Sequence, residues 1–121
     1  MNTKLSILAV LLAGAATSAH AAGNASPLPG CTELGADREV VRAGSTTSMA
    51  LRDGDSHYLL TFRGDCGSLA TTNTLKIVAE GTENRLCPSD TVVRTRRDDC
   101  KVARVEEISA EQFAVRKRRA R

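Results

Sequence analysis

Tryptophan is absent from this chain, and its 121 residues include only three aromatic side chains, Tyr58, Phe62 and Phe113. Large rings usually dominate core burial, so packing here must be aliphatic and the domain is marginal for its size. Histidine is nearly as scarce. His20 lies in the N-terminal segment described below, which leaves His57 as the only imidazole in the rest of the chain. No Cys-x-x-Cys pair occurs: Cys31, Cys66, Cys87 and Cys100 are separated by 35, 21 and 13 positions. That spacing argues against structural zinc and against a thioredoxin-type redox pair. No apolar run reaches the about 20 residues that a membrane-spanning helix needs, and there are no internal repeats.

What is present begins with a Lys4 charge, an apolar run from Leu5 to Ala16 and a small-residue stretch Thr17-Ser18-Ala19-His20-Ala21. This is the anatomy of a secretory signal, with cleavage expected after Ala21. Leu28-Pro29-Gly30-Cys31 looks superficially like a lipoprotein box. The polar stretch from Thr17 to Gly30 is too long to separate an apolar run from such a site, so lipidation is not expected. Removal of residues 1–21 leaves 100 residues, one domain, with no transmembrane anchor and a periplasmic or secreted destination.

In an oxidising compartment four cysteines read as two disulfides. Three pairings are possible. Cys66 with Cys87 and Cys31 with Cys100 is the favoured expectation, because the second bond would tie the two ends of the domain together.

The net charge of +3 conceals an asymmetry. Of the 17 lysines and arginines, six are Lys4, Arg116, Lys117, Arg118, Arg119 and Arg121, which leaves 11 against 14 acidic side chains over residues 22–115. A mildly acidic fold therefore carries a strongly basic end.

Residues 22–36 have loop composition and suggest a flexible N-terminal arm, with Cys31 able to pin it. Over residues 37–108, short runs of β-formers alternate with turn residues, the pattern of a small antiparallel barrel or sandwich, OB-like or SH3-like in outline. The clearest strand is His57 to Arg63, where Tyr58, Leu60 and Phe62 share one face, and its place is expected to be central. Thr47 to Leu51 precedes it across the turn-forming Arg52-Asp53-Gly54-Asp55-Ser56. Further strands are expected over Thr74 to Ala79, Arg85 to Cys87, Asp90 to Arg96 and Cys100 to Val105. Val102, Val105 and Ile108 recur every third residue, which no regular strand can place on one face; a bulge near Ala103 or a turn into helix would reconcile them. Ser109-Ala110-Glu111-Gln112 has capping-box spacing. The remainder, residues 109–121, is expected to be a short helix that carries Phe113 toward the body and ends in the basic tail.

No set of residues here converges on catalysis. Ser68, His57 and an aspartate lack the sequence surroundings of a nucleophile elbow. Asp53-Gly54-Asp55 lacks the further oxygen ligands of a calcium loop and reads as a turn. Arg63-Gly64-Asp65 likewise reads as a turn after a strand. No catalytic residue, metal ligand or cofactor site is expected. The best candidate for binding is the cluster Arg116, Lys117, Arg118, Arg119 and Arg121, which would attract an anionic envelope polymer through a salt-sensitive attraction. No aromatic stands in it to stack on bases, so specific nucleic-acid recognition is not expected.

The blocks Tyr58-Leu59-Leu60-Thr61-Phe62-Arg63-Gly64-Asp65-Cys66-Gly67-Ser68-Leu69, Arg85-Leu86-Cys87-Pro88-Ser89-Asp90 and Cys100-Lys101-Val102 resemble a family of small exported proteobacterial proteins known only as a domain of unknown function. The resemblance covers roughly residues 37–108. It implies a compact β-fold outside the cytoplasm and carries over no catalytic residue. The functional expectation is an exported envelope protein with a non-catalytic binding or structural role. Electrostatic binding of an anionic polymer and thiol oxidoreduction are the alternatives.

Overall fold

Ten short strands and one helix form the domain in a computed structural model that describes residues 25–42, 45–72 and 74–120. The expected signal segment, residues 1–21, lies outside the described residues, as does Arg121. The strands are β1 (Ser26–Pro27), β2 (Thr32–Glu33), β3 (Arg38–Val41), β4 (Ser48–Asp53), β5 (Ser56–Phe62), β6 (Lys76–Ala79), β7 (Thr82–Glu83), β8 (Arg85–Leu86), β9 (Thr91–Arg94) and β10 (Asp99–Glu107). The helix, α1, spans Ala110–Arg119, and a single 3-10 turn covers Gly67–Ala70. Among the described residues no helix is long and apolar enough to cross a membrane.

The main sheet runs β3-β4-β5-β10-β9-β6-β7, antiparallel throughout, and curls into a half-barrel. As expected, β5 is central, with β4 on one edge and β10 on the other. Its hairpin to β4 closes through Gly54 and Asp55, with Asp53 opposite Ser56. Gly54 takes φ +59° at the first turn position, where a two-residue hairpin wants a residue that tolerates positive φ. The β6–β7 hairpin turns on Glu80 and Gly81, both at positive φ (51° and 76°).

The threefold spacing in β10 resolves as a bulge. Val102 pairs with Phe62 and Arg104 with Thr61, so Ala103 is the extra residue. That insertion turns Val102 and Val105 to the same buried side, both 3 % exposed. β10 is also the hub of the sheet. Its first residues pair with β9, its later ones with β5, and Glu106 and Glu107 also pair with β1.

The pairing with β1 corrects the reading of residues 22–36 as a flexible arm. In the described part, β1 joins the main sheet, β2 pairs with β8, and Leu28 and Leu34 are buried in the core. Loop composition misled because two-residue strands carry no periodicity; tertiary burial of two leucines holds them.

The disulfides are Cys31–Cys87 and Cys66–Cys100, which overturns the expected Cys66–Cys87 and Cys31–Cys100 pairing. Strand register is the reason. Thr32 lies opposite Leu86, so the next antiparallel step brings Cys31 to Cys87. Phe62 lies opposite Val102, so the chain leaving β5 returns Cys66 beside Cys100. The ends of the domain are tied instead by the β1–β10 pairing.

Two apolar clusters result. Met49, Leu51, Tyr58, Leu60, Phe62, Leu69, Ile77, Leu86 and Val93 belong to the main core inside the half-barrel. Ala50, Ile108 and Phe113, with Val41 and Leu59 against them, form a second cluster where α1 covers the outer face of β3, β4 and β5. The strand Met49-Ala50-Leu51 is apolar without alternation because both its faces are covered.

Candidate functional site

The helix that carries the basic residues is built by its first turn. Ser109 Oγ accepts the Gln112 N–H at 3.0 Å, and Gln112 Oε1 accepts the Ser109 N–H at 2.9 Å, a complete capping box. Phe113, 5 % exposed, then drives the helix onto the sheet, where its ring tilts against His57 with centroids 5.3 Å apart. One turn further, Arg116 and Lys117 fall on the sheet side of the helix. Lys117 Nζ lies 2.7 Å from Glu39 on β3, and Arg116 Nη1 donates to Ser48 Oγ on β4 at 3.4 Å.

This ordered docking changes the picture of a basic tail. Arg116 through Arg119 belong to α1 itself, with Arg118 and Arg119 exposed on its last turn. Cations at a helix C-terminus face its partial negative charge, which favours the last turn.

Arg116 and Arg119 share a pocket with a third arginine. Together with Arg42, Ser45, Ser48 and Val41 they line a pocket of about 140 Å³ between the end of β3, the start of β4 and the last turn of α1. Arg42 is anchored by residues outside the pocket lining, since its Nη1 donates to the carbonyls of Leu69 (3.0 Å) and Thr72. Ser45 Oγ accepts the backbone N–H of Thr47 (3.3 Å) and of Ser48 (3.2 Å), so both hydroxyls sit on a tight, self-bonded turn. Glu39, on β3, is occupied by Lys117 at 2.7 Å and by Arg52 at 3.6 Å. Lys117 beside it holds the Glu39 carboxyl below its ordinary range. No carboxylate lines the pocket among the described residues.

A larger cleft, about 400 Å³, is lined by Arg63 and Lys101 together with Glu80 and Asp90. Its charges are mixed, and Glu80 also contacts Arg85 at 3.6 Å, within a network in which Arg85 bridges to Glu33 at 2.7 Å. The cleft therefore has no net preference for one sign of ligand.

The remaining sequence candidates are accounted for by the fold. Ser68 bonds Thr95 Oγ1 at 2.7 Å on the 3-10 turn, beyond the opposite end of β5 from His57, so the two are not brought together. Asp53 accepts the Gly35 N–H at 3.0 Å beside its hairpin turn. Asp65, in the Arg63-Gly64-Asp65 turn, accepts from Thr46 Oγ1. Among the described residues one close group of metal-type ligands occurs, Cys31, Glu80 and Cys87, and its two sulfurs are bonded to each other. The same bond occupies the Cys31 sulfur that a lipid anchor would need. Arg42, Ser45 and Ser48 were missed in the sequence, because nothing local marks them; only the 3.6-residue period of α1 and its landing point on β4 bring them to Arg116.

Compared with protein-family models, with curated proteins and with solved structures, the chain matches none of them.

Proposed function

We propose that this protein is an exported, non-catalytic binding domain of the cell envelope that holds anionic polymer on the face formed by α1 and the β3–β4 edge. The observation that carries this reading is that Arg42, Arg116 and Arg119 line one pocket that holds no carboxylate among the described residues, with Arg118 exposed next to Arg119. Like charges brought together by folding repel one another, and a bound polyanion relieves that repulsion while releasing its own counterions. The two disulfides suit a destination outside the reducing cytosol, periplasmic or extracellular. The signal anatomy of residues 1–21 points the same way.

Retention of the mature protein on immobilised heparin, a sulfated polyanion, tests the reading. Elution is expected to require raised salt, and Arg118→Glu with Arg119→Glu should elute at markedly lower salt while unfolding normally. Passage of the wild-type protein through the matrix at low salt would refute it.

A further inference from the structure

We infer that the Arg42–Arg116–Arg119 pocket is a site for a single phosphoryl group, a phosphate monoester borne by a larger molecule; this rests on the anion-binding reading above and narrows it. The volume is the first argument. At about 140 Å³ the pocket falls well short of the roughly 300–1,000 Å³ of sites that enclose a whole small molecule. It has room for one compact head group, with the rest of the ligand outside.

The donor set is the second argument. Guanidinium groups present N–H donors in a planar fork that matches phosphate oxygens two at a time. Arg42 uses only Nη1 on the carbonyls of Leu69 and Thr72. Its Nε–H and both Nη2–H groups have no protein acceptor among the described residues. Because neither Leu69 nor Thr72 lines the pocket, this anchor holds Arg42 in place before any ligand arrives, and the entropy cost of binding falls accordingly. Arg116 is half-buried and steered by Ser48. Arg119, one helical turn on from Arg116, closes the rim. The Ser45 and Ser48 hydroxyls lie 3.4 Å apart and each can rotate a proton toward a ligand oxygen.

The charge balance is the third argument. Three cations and, among the described residues, no carboxylate suit a dianion better than a monoanion. A monoester carries about −1.5 to −2 at neutral pH, whereas a diester linkage carries one charge and loses an oxygen to its second ester bond. The pocket should therefore prefer a terminal phosphoryl group, including one carried as a substituent or end group of an anionic polymer, to a diester linkage. Such a group occurs both on soluble phosphorylated metabolites and on lipid head groups.

The test is a titration of ¹⁵N-labelled mature protein with inorganic phosphate, glycerol 3-phosphate and dimethyl phosphate, followed by amide shifts. Saturable shifts confined to the Ser45–Ser48 turn and the last turn of α1 are expected with the first two ligands, and much weaker ones with the diester. Arg119→Gln, on an exposed position, and Ser48→Ala should each weaken the glycerol 3-phosphate affinity, the former about tenfold, as the loss of a charged hydrogen bond implies. Arg118→Gln, outside the pocket, should lower heparin retention and leave the phosphate titration unchanged. Co-sedimentation with phosphatidylcholine vesicles containing phosphatidic acid separates the sources: binding identifies a membrane-borne head group, and its absence alongside glycerol 3-phosphate binding identifies a soluble one. No saturable shift with phosphate, equal affinity for the diester, or indifference to both pocket substitutions would overturn the inference. Heparin retention surviving such a result would leave the broader anion-binding reading standing, and loss of both would end the two together.

Discussion

Glu39 sits between Lys117 of α1 and Arg52 of β4 and, among the described residues, is the carboxylate that ties the helix terminus to the sheet edge. Its carboxyl is held below the ordinary 4.5, chiefly by the hydrogen bond from Lys117. A carboxyl depressed in the folded state contributes stability that is complete above the unfolded value and is lost as pH falls through the folded one. The attachment of the last turn of α1 is accordingly expected to weaken below about pH 4.5. Amide exchange in the last turn of α1 should rise in acid for the wild type, and Glu39→Gln should show the faster exchange already at neutral pH with little further change. Gly81 supplies a second residue-scale check. At φ +76° an added Cβ meets open space but an unfavourable backbone region, so Gly81→Ala should cost about 1 kcal/mol in urea denaturation, from conformation alone.

Among elements, α1 does the most for its length. It is ten residues long, too short to be stable in isolation, and it persists through its capping box and the burial of Phe113 against His57, Ile108 and Ala50. Phe113→Ala should destabilise the domain by about 3 kcal/mol or more and release the helix, so that Arg116 and Arg119 no longer face Arg42. Ser109→Ala should cost about 1 kcal/mol and fray the first turn while leaving the pocket at the far end assembled. Circular dichroism at the helical minimum, with heparin retention measured on both variants, checks the pair: retention should fall with Phe113→Ala and hold with Ser109→Ala. The bulge at Ala103 is the other decisive element feature. It keeps Val102 and Val105 in the core while letting β10 reach β9 with one end and α1 with the other.

For the molecule as a whole, crosslinks supplement a core with three aromatic rings. The bonded cysteines lie 56 and 34 residues apart, and the chain-entropy model assigns closed loops of that length about 4 kcal/mol each. Small domains have a net stability of about 5–15 kcal/mol, so full reduction should remove most of it. Urea unfolding with and without reductant should show a large fall in midpoint, and non-reducing peptide maps should return Cys31 with Cys87 and Cys66 with Cys100. Much of this architecture was legible in the chain: the period of two in Tyr58-Leu60-Phe62, the turn at Asp53-Gly54-Asp55-Ser56, the irregular step from Val102 to Val105, and the Ser109-to-Gln112 cap. Each is local, decided by side chains within a few positions of one another, and so the sequence by itself determined an antiparallel β domain ending in a capped helix. Disulfide pairing, the folding-in of Leu28 and Leu34, and the meeting of Arg42 with Arg116 and Arg119 depend on register between segments far apart in the chain. Tertiary structure alone decided those, because which strand lies beside which is set by how the two faces of a curved sheet are buried, and no window of neighbouring residues contains that information.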